Sequence, residues 1–127
     1  MAHRLGSSSG QRPLRALILA FGCNPYAGSE SEAGWAMVET ISEVAETVTL
    51  VRTDHKREID RYLKECSKKG KDISHMRFVE IPIGGLALKL ASLVVNTDRR
   101  AWYLTYFSFL RRAKEVAKRL LAQEHFD

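Results

Sequence analysis

The chain has 127 residues, 45% of them hydrophobic and 28% charged, with a net charge of +5, a size and balance that predict one folded, soluble domain with an ordinary core. Its longest apolar run, residues 84–96, is broken by Lys89 and too short for a bilayer; residues 1–13 are polar and Ser/Gly-rich, without the apolar stretch of a secretory leader. The only cysteines, Cys23 and Cys66, lie far apart, which suits two free thiols in a reducing, cytoplasmic setting better than a disulfide framework.

Residues 1–13 read as a disordered tail or an expression-related extension, and residues 14–127 as the domain. Leu14 to Phe21 is apolar apart from Arg15 and suits a strand buried on both faces of a parallel sheet. A loop with bends at Gly22, Pro25 and Gly28 leads into an amphipathic helix predicted over Glu30 to Glu46. Ser29 and Glu32 have capping-box spacing. Such a helix start, behind a glycine turn, offers free amides and partial positive charge to an anion such as a phosphate. Gly34, Met37, Val38, Ile41, Val44 and Ala45 form the predicted buried stripe, with Glu39, Glu43 and Glu46 opposite. Glu32 reads as a capping residue, since carboxylates are favoured at a helix start anyway.

Thr47 to Thr53 is the second predicted strand. Asp54 stands where Rossmann-like folds place a ribose-binding acid, but equally where a helix takes its N-cap, and the cap is the favoured reading. A helix over His55 to Lys69 buries Ile59, Tyr62, Leu63 and Cys66 and stops at Gly70. Met76 to Ile81 is the third strand, ended by Pro82 and Gly84-Gly85. Leu86 to Val95 reads as a short helix and Arg99 to Gln123 as a long one, with Trp102, Tyr106, Phe109, Ala113, Val116 and Leu120 on one stripe and Tyr103 and Phe107 beside it. Strands alternating with helices predict an α/β fold: a partial Rossmann-like parallel sheet in a three-layer α/β/α arrangement.

Several chemistries are disfavoured by spacing. Gly22 to Gly28 is no Walker A loop, because no Lys-Ser/Thr pair follows, and no G-x-G-x-x-G dinucleotide fingerprint. The bare spacing also describes a strand-to-helix turn that binds nothing. His3, His55, His75 and His125 have no metal-ligand spacing, so no metal is predicted. No His accompanies Cys23 in sequence, which disfavours a nucleophilic thiol. Five acidic and no basic residues fall between Gly22 and Glu46, nine basic against five acidic between Arg52 and Arg77, and seven against three between Arg99 and Asp127. The positive regions read either as solvated helix faces or as a surface attracted to anionic lipid head groups. Nucleic acid is not favoured, because the aromatics cluster on one helix face rather than forming a stacking platform.

The run Asn24-Pro25-Tyr26-Ala27-Gly28-Ser29-Glu30, followed by Gly34-Trp35, resembles the first loop and helix of a retaining glycosyltransferase of the GT-B fold. More narrowly, it is similar to a P-x-x-G-S-E-x-x-x-G-W subgroup of glycosyltransferase family four. The likeness extends over residues 14–127, through Val51-Arg52-Thr53, the Met76 to Pro82 strand and the aromatic-basic helix ending in His125-Phe126-Asp127. One departure is Ala27-Gly28, where many members carry two glycines.

The resemblance implies the first half of the family's N-terminal, acceptor-side domain, with Gly28, Ser29 and Glu30 at the interdomain cleft as substrate-binding residues. It assigns no catalytic residue in this chain. The full-length enzyme would move a sugar from a nucleotide-sugar, a co-substrate rather than a cofactor, to a glycan or lipid-linked acceptor, without a metal. It would work in the cytoplasm or peripherally at the cytoplasmic face of a membrane, as in polysaccharide biosynthesis. Phe126-Asp127 looks like the start of the family's fourth strand, so the resemblance implies that residues 1–127 lack that strand and the donor domain. A 3-2-1-4 order would then leave the first strand as an exposed apolar edge, and the fragment is expected to be inactive alone and to self-associate or take a strand-completing partner. The competing expectation is a non-catalytic Rossmann-like module acting through a partner chain.

Overall fold

A computed structural model describes residues 12–26, 28, 30–83 and 99–127. Ser29 and the helix expected over residues 86–95 lie outside the described residues. The elements run β1 (Arg15–Ala20), α1 (Glu30–Ser42), β2 (Glu46–Arg52), α2 (Thr53–Lys68), β3 (Met76–Ile81) and α3 (Arg99–Gln123). The three strands form one parallel sheet in the order β1-β2-β3, with Leu17 beside Val48 and Leu50 beside Val79.

Alternation along β2 sends its side chains into two separate cores. Val51, with Ile18 and Ala20 of β1, packs against Trp35 and Val38 of α1 and Ile59 of α2. Val48 and Leu50, with Ile81, pack against Phe109, Ala113, Ala117 and Leu120 of α3. Helices thus cover both faces, which explains why β2 is buried from Thr47 to Val51 and why its sequence is β-branched and apolar without a polar side.

Two helix ends follow from specific chemistry. Gly70 has φ +76; its amide reaches the Ser67 carbonyl at 3.0 Å and the Lys71 amide reaches Cys66 at 3.0 Å, which is the Schellman arrangement expected of a glycine just beyond a helix. By contrast, α1 ends at Ser42 rather than Glu46. The Val44 and Ala45 amides turn back to the Ile41 carbonyl, and Glu46 already belongs to the sheet, its amide donating to the Leu14 carbonyl at 2.8 Å. The buried stripe of α1 is also rotated from the expected one. It runs through Trp35, Val38 and Ser42, whereas Met37 and Val44 are 51% and 58% exposed. Trp35 decides the rotation, because its indole stacks on Phe78 of β3 at 5.6 Å and meets Tyr62 of α2 edge-on at 5.2 Å.

Among the described residues β1 is an edge strand, and the start of its outer side meets residues 124–127. The Asp127 amide donates to the Arg15 carbonyl at 2.9 Å, and the Arg15 amide donates to the Asp127 carboxylate at 3.0 Å. The Arg15 guanidinium binds the His125 carbonyl and Glu124, over the Phe126 ring. Arg12 pairs with Asp127 and donates to His125 Nε2. Further along the same edge, Leu19 is 43% exposed.

Candidate functional site

The carboxyl ends of the strands, where open α/β sheets bind their ligands, carry the loop from Phe21 to Gly28, the start of α2, and Pro82-Ile83 beyond β3. The loop is tied down at both sides. Gly34 of α1 lies against Gly22: a Cβ at Gly34 would stand 1.8 Å from the Gly22 carbonyl oxygen, so only glycine lets the helix approach the loop this closely. The Asn24 amide donates to the Ser31 carbonyl at 3.0 Å.

On the other side, α2 presents a polar stripe to the loop. The Cys23 amide donates to His55 Nδ1 at 3.5 Å. The buried Asn24 side chain donates through Nδ2 to Glu58 and accepts from the Tyr26 amide through Oδ1 at 2.9 Å, an Asx turn that shapes Pro25-Tyr26. The Tyr26 hydroxyl donates to Glu65 at 2.9 Å, its ring lies under the Arg61 guanidinium at 4.2 Å, and its edge meets Tyr62. Positions 55, 58, 62 and 65 follow helical spacing. Tyr62 was expected to be buried, while the spacing of His55, Glu58 and Glu65 was the one signal in the sequence for a shared partner.

Gly28 is exposed with open space where a Cβ would be, and Glu30 is exposed as the first residue of α1. The structure brings these two substrate-binding candidates to one helix start, where the first-turn amides have no helical acceptor. The third, Ser29, lies outside the described residues. Asp54 does not cap α2. The helix begins at Thr53 with Arg52 in the capping position and no side-chain cap, and the Asp54 carboxylate is held by Arg52 through two bonds at 2.9 and 2.6 Å. The Arg52 guanidinium is itself stacked on Phe21 at 4.6 Å. The charge pair outcompetes the cap because the aromatic ring fixes the guanidinium within reach.

Beside this pair, Thr53, Asp54, Pro82 and Ile83 line a shallow recess of about 150 Å³. Gly28 and Glu30 are not among its lining residues. A second recess, of about 190 Å³, opens at the amino ends of the strands among Arg15, Glu46, Thr47, Val48, Ser74, His75 and Arg77. Its arginines are already paired, Arg15 with Glu46 and Glu124, and Arg77 with Glu124, which leaves little net charge for a ligand.

Burial shifts two titratable groups at the loop, Cys23 and His55. It pushes the Cys23 thiol up to about 12, so the sulfur stays protonated and poorly nucleophilic. The fold does bring a histidine to Cys23, which the sequence spacing did not reveal, but His55 meets the backbone amide. Burial also lowers the His55 pKa, and this outweighs the opposing charge of Asp54. The imidazole is therefore neutral at pH 7, as an acceptor at Nδ1 must be. Among the described residues, no group of three His, Cys, Asp or Glu is placed to hold a metal ion, and no helix is long and apolar enough to cross a membrane.

No protein-family model, curated protein or solved structure matches this chain. The functional reading therefore stands on the residues of the β1–α1 loop and their position in the fold.

Proposed function

We propose that residues 14–127 form the acceptor-side, N-terminal part of a GT-B retaining glycosyltransferase, which moves a sugar from a nucleotide-sugar to a glycan or lipid-linked acceptor. The observation that carries the reading is the placement of Asn24-Pro25-Tyr26, Gly28, Glu30 and Gly34-Trp35. The motif follows the first strand of a parallel sheet, opens α1 at Glu30, and is braced by Gly34 on one side and by α2 on the other. In this reading Gly28, Ser29 and Glu30 contact the ligand, phosphate charge is met by the α1 amides and partial dipole charge, and Arg52 and Asp54 form the neighbouring wall. Transfer requires a donor-binding domain in addition to these residues.

Titration of the 127-residue chain with uridine diphosphate, followed by amide NMR, tests the loop. Shifts confined to residues 28–32 are expected, and Gly28→Val should remove them without unfolding, because open space surrounds the new side chain. Shifts spread elsewhere, or none at all, count against the reading.

The second reading, a non-catalytic module that pairs through its sheet, is favoured by the outer position of β1 among the described strands and by the exposure of Leu19 on it. Sedimentation velocity separates the two readings. Self-association abolished by Leu19→Lys, with no nucleotide or sugar binding, supports the module.

A further inference from the structure

Helix α2 turns a cationic face to solvent. Arg57, Arg61, Lys64 and Lys68 are all exposed, and their spacing of four, three and four residues places them within about 60° of one another around the helix. Ile59, Tyr62 and Cys66, which face the core, lie on the opposite side. The acids of the helix are spent on its flanks: Asp54 on Arg52, Glu58 on Asn24, Asp60 on Lys56 and Glu65 on Tyr26. The stripe therefore keeps its charge. It also touches the candidate site, because the Arg61 guanidinium rests on the Tyr26 ring of the β1–α1 loop.

We propose that this face of α2 is the track for a polyanionic glycan carrying a carboxylate on each sugar, whose end reaches the β1–α1 loop. The proposal names an acceptor class within the glycosyltransferase reading, and rests on that reading for the glycan's role as substrate. Charge and spacing select the occupant. The four cations span about 16 Å, with neighbours roughly 4.5–6 Å apart along the axis. That is close to the advance per sugar of an extended glycan, so successive carboxylates meet successive cations. A lipid surface is disfavoured, because a helix lying in an interface needs an apolar face. Within about 60° of the stripe's centre stand only Thr53, Asp54 and the four cations themselves. A single-stranded nucleic acid needs rings on which to stack, but the ring beside the stripe, Tyr26, already carries Arg61 and meets Tyr62 at its edge. A second copy set on the face by a twofold axis would oppose like charges.

Calorimetric titration of the 127-residue chain with polygalacturonate, and with its fully methyl-esterified form, tests the proposal without any sugar donor. Binding to the charged polymer only, lost on raising salt, is expected. Replacing Arg57, Lys64 and Lys68 together by Gln should weaken it about tenfold; Arg61 is left in place because it holds Tyr26. Replacing Arg111, Lys114 and Lys118 by Gln removes the same charge from α3, on the other face of the sheet, and should leave binding as in the native chain. All six positions are exposed, and circular dichroism checks that the variants remain folded. Equal weakening by the two triple variants, equal binding of the methyl ester, or no binding at all overturns the proposal. So does tighter α2-dependent binding to phosphatidylglycerol vesicles or to single-stranded DNA. Polygalacturonate binding without nucleotide-induced shifts at residues 28–32 supports the α2 surface and counts against the enzyme reading, whereas the reverse result overturns the α2 surface alone.

Discussion

Gly34 sits so close to Gly22 that a single added methyl would stand 1.8 Å from the Gly22 carbonyl oxygen. The obstacle is backbone, in the middle of a strand-to-helix turn, and cannot rotate away as a flexible side chain would. Gly34→Ala must therefore push α1 off the loop. A loss of about 2–3 kcal/mol is expected in urea denaturation, with altered chemical shifts at residues 22–24. Gly28→Ala, facing open space, serves as the control and should be nearly neutral.

The α2 stripe makes a second, graded prediction. Removing the Glu58 carboxylate by Glu58→Ala strands the buried Asn24 Nδ2 and should cost about 1–3 kcal/mol. Tyr26→Phe removes one bond to Glu65 at an exposed ring and should cost clearly less. Both variants should speed amide exchange at residues 23–26 more than in β2. Equal effects, or exchange unchanged in the loop, would show that α2 does not hold it.

These ties also show what the sequence could reveal. β3 and α3 were legible to the residue, and Gly70 marked the end of α2, because apolar periodicity and a left-handed glycine are local signals. The end of α1 was not, since Val44-Ala45 continues the helical period through a turn, and only the sheet contact of Glu46 ends the helix. The stripe of α1 held at Val38, Ile41 and Ala45 but failed at Met37 and Val44, because Trp35 takes its direction from Phe78 and Tyr62, residues on other elements. Asp54 was assigned to a cap because the rigid placement of Arg52 on Phe21 has no sequence signature. At the candidate site, the loop motif was visible, while its supports, His55, Glu58 and Glu65, became meaningful only once α2 was laid beside it.

The pH dependence should have two stages. The His55 pKa lies below its ordinary 6.5 because burial opposes the charged form. Stability from this group is thus complete above about pH 6.5 and is lost as pH falls through the lower folded value. Glu124 lies below its ordinary 4.5, chiefly through the hydrogen bond from Arg15, and Asp127 below 3.8, chiefly through the Arg15 backbone amide. Both are depressed acids, so their contribution is present above those values and disappears as they protonate in the fold. Melting temperatures should be flat from neutral upward, dip below pH 6.5, and fall again below pH 4.5. His55→Gln should remove the first stage alone, and Glu124→Gln should reduce the second.

Thr49 offers a stabilising substitution. Its side chain is fully buried in the layer between sheet and α1, and its hydroxyl has no hydrogen-bond partner among the described residues. Valine has nearly the same shape and removes the desolvated hydroxyl. Thr49→Val should raise stability by about 1 kcal/mol, read as a higher urea midpoint with an unchanged slope. A loss of stability would mean that the hydroxyl is bonded in solution.

Cys23 separates two roles that its neighbour makes easy to confuse. A thiol beside an imidazole suggests an activated nucleophile, and such activation works by lowering the thiol pKa. Here the imidazole Nδ1 is taken by the Cys23 amide, the sulfur is fully buried, and burial raises the thiol to about 12. The native chain should therefore react with a disulfide reagent at neutral pH only as fast as it opens, with both thiols appearing together on unfolding, since Cys66 is also buried. Cys23→Ser should cost about 1–2 kcal/mol by burying a hydroxyl in a site built for sulfur, while leaving nucleotide-induced shifts at residues 28–32 in place. Rapid labelling of one native thiol, with a rate rising through the titration of His55, would instead identify Cys23 as a nucleophile and move the chemistry from the helix start to the loop.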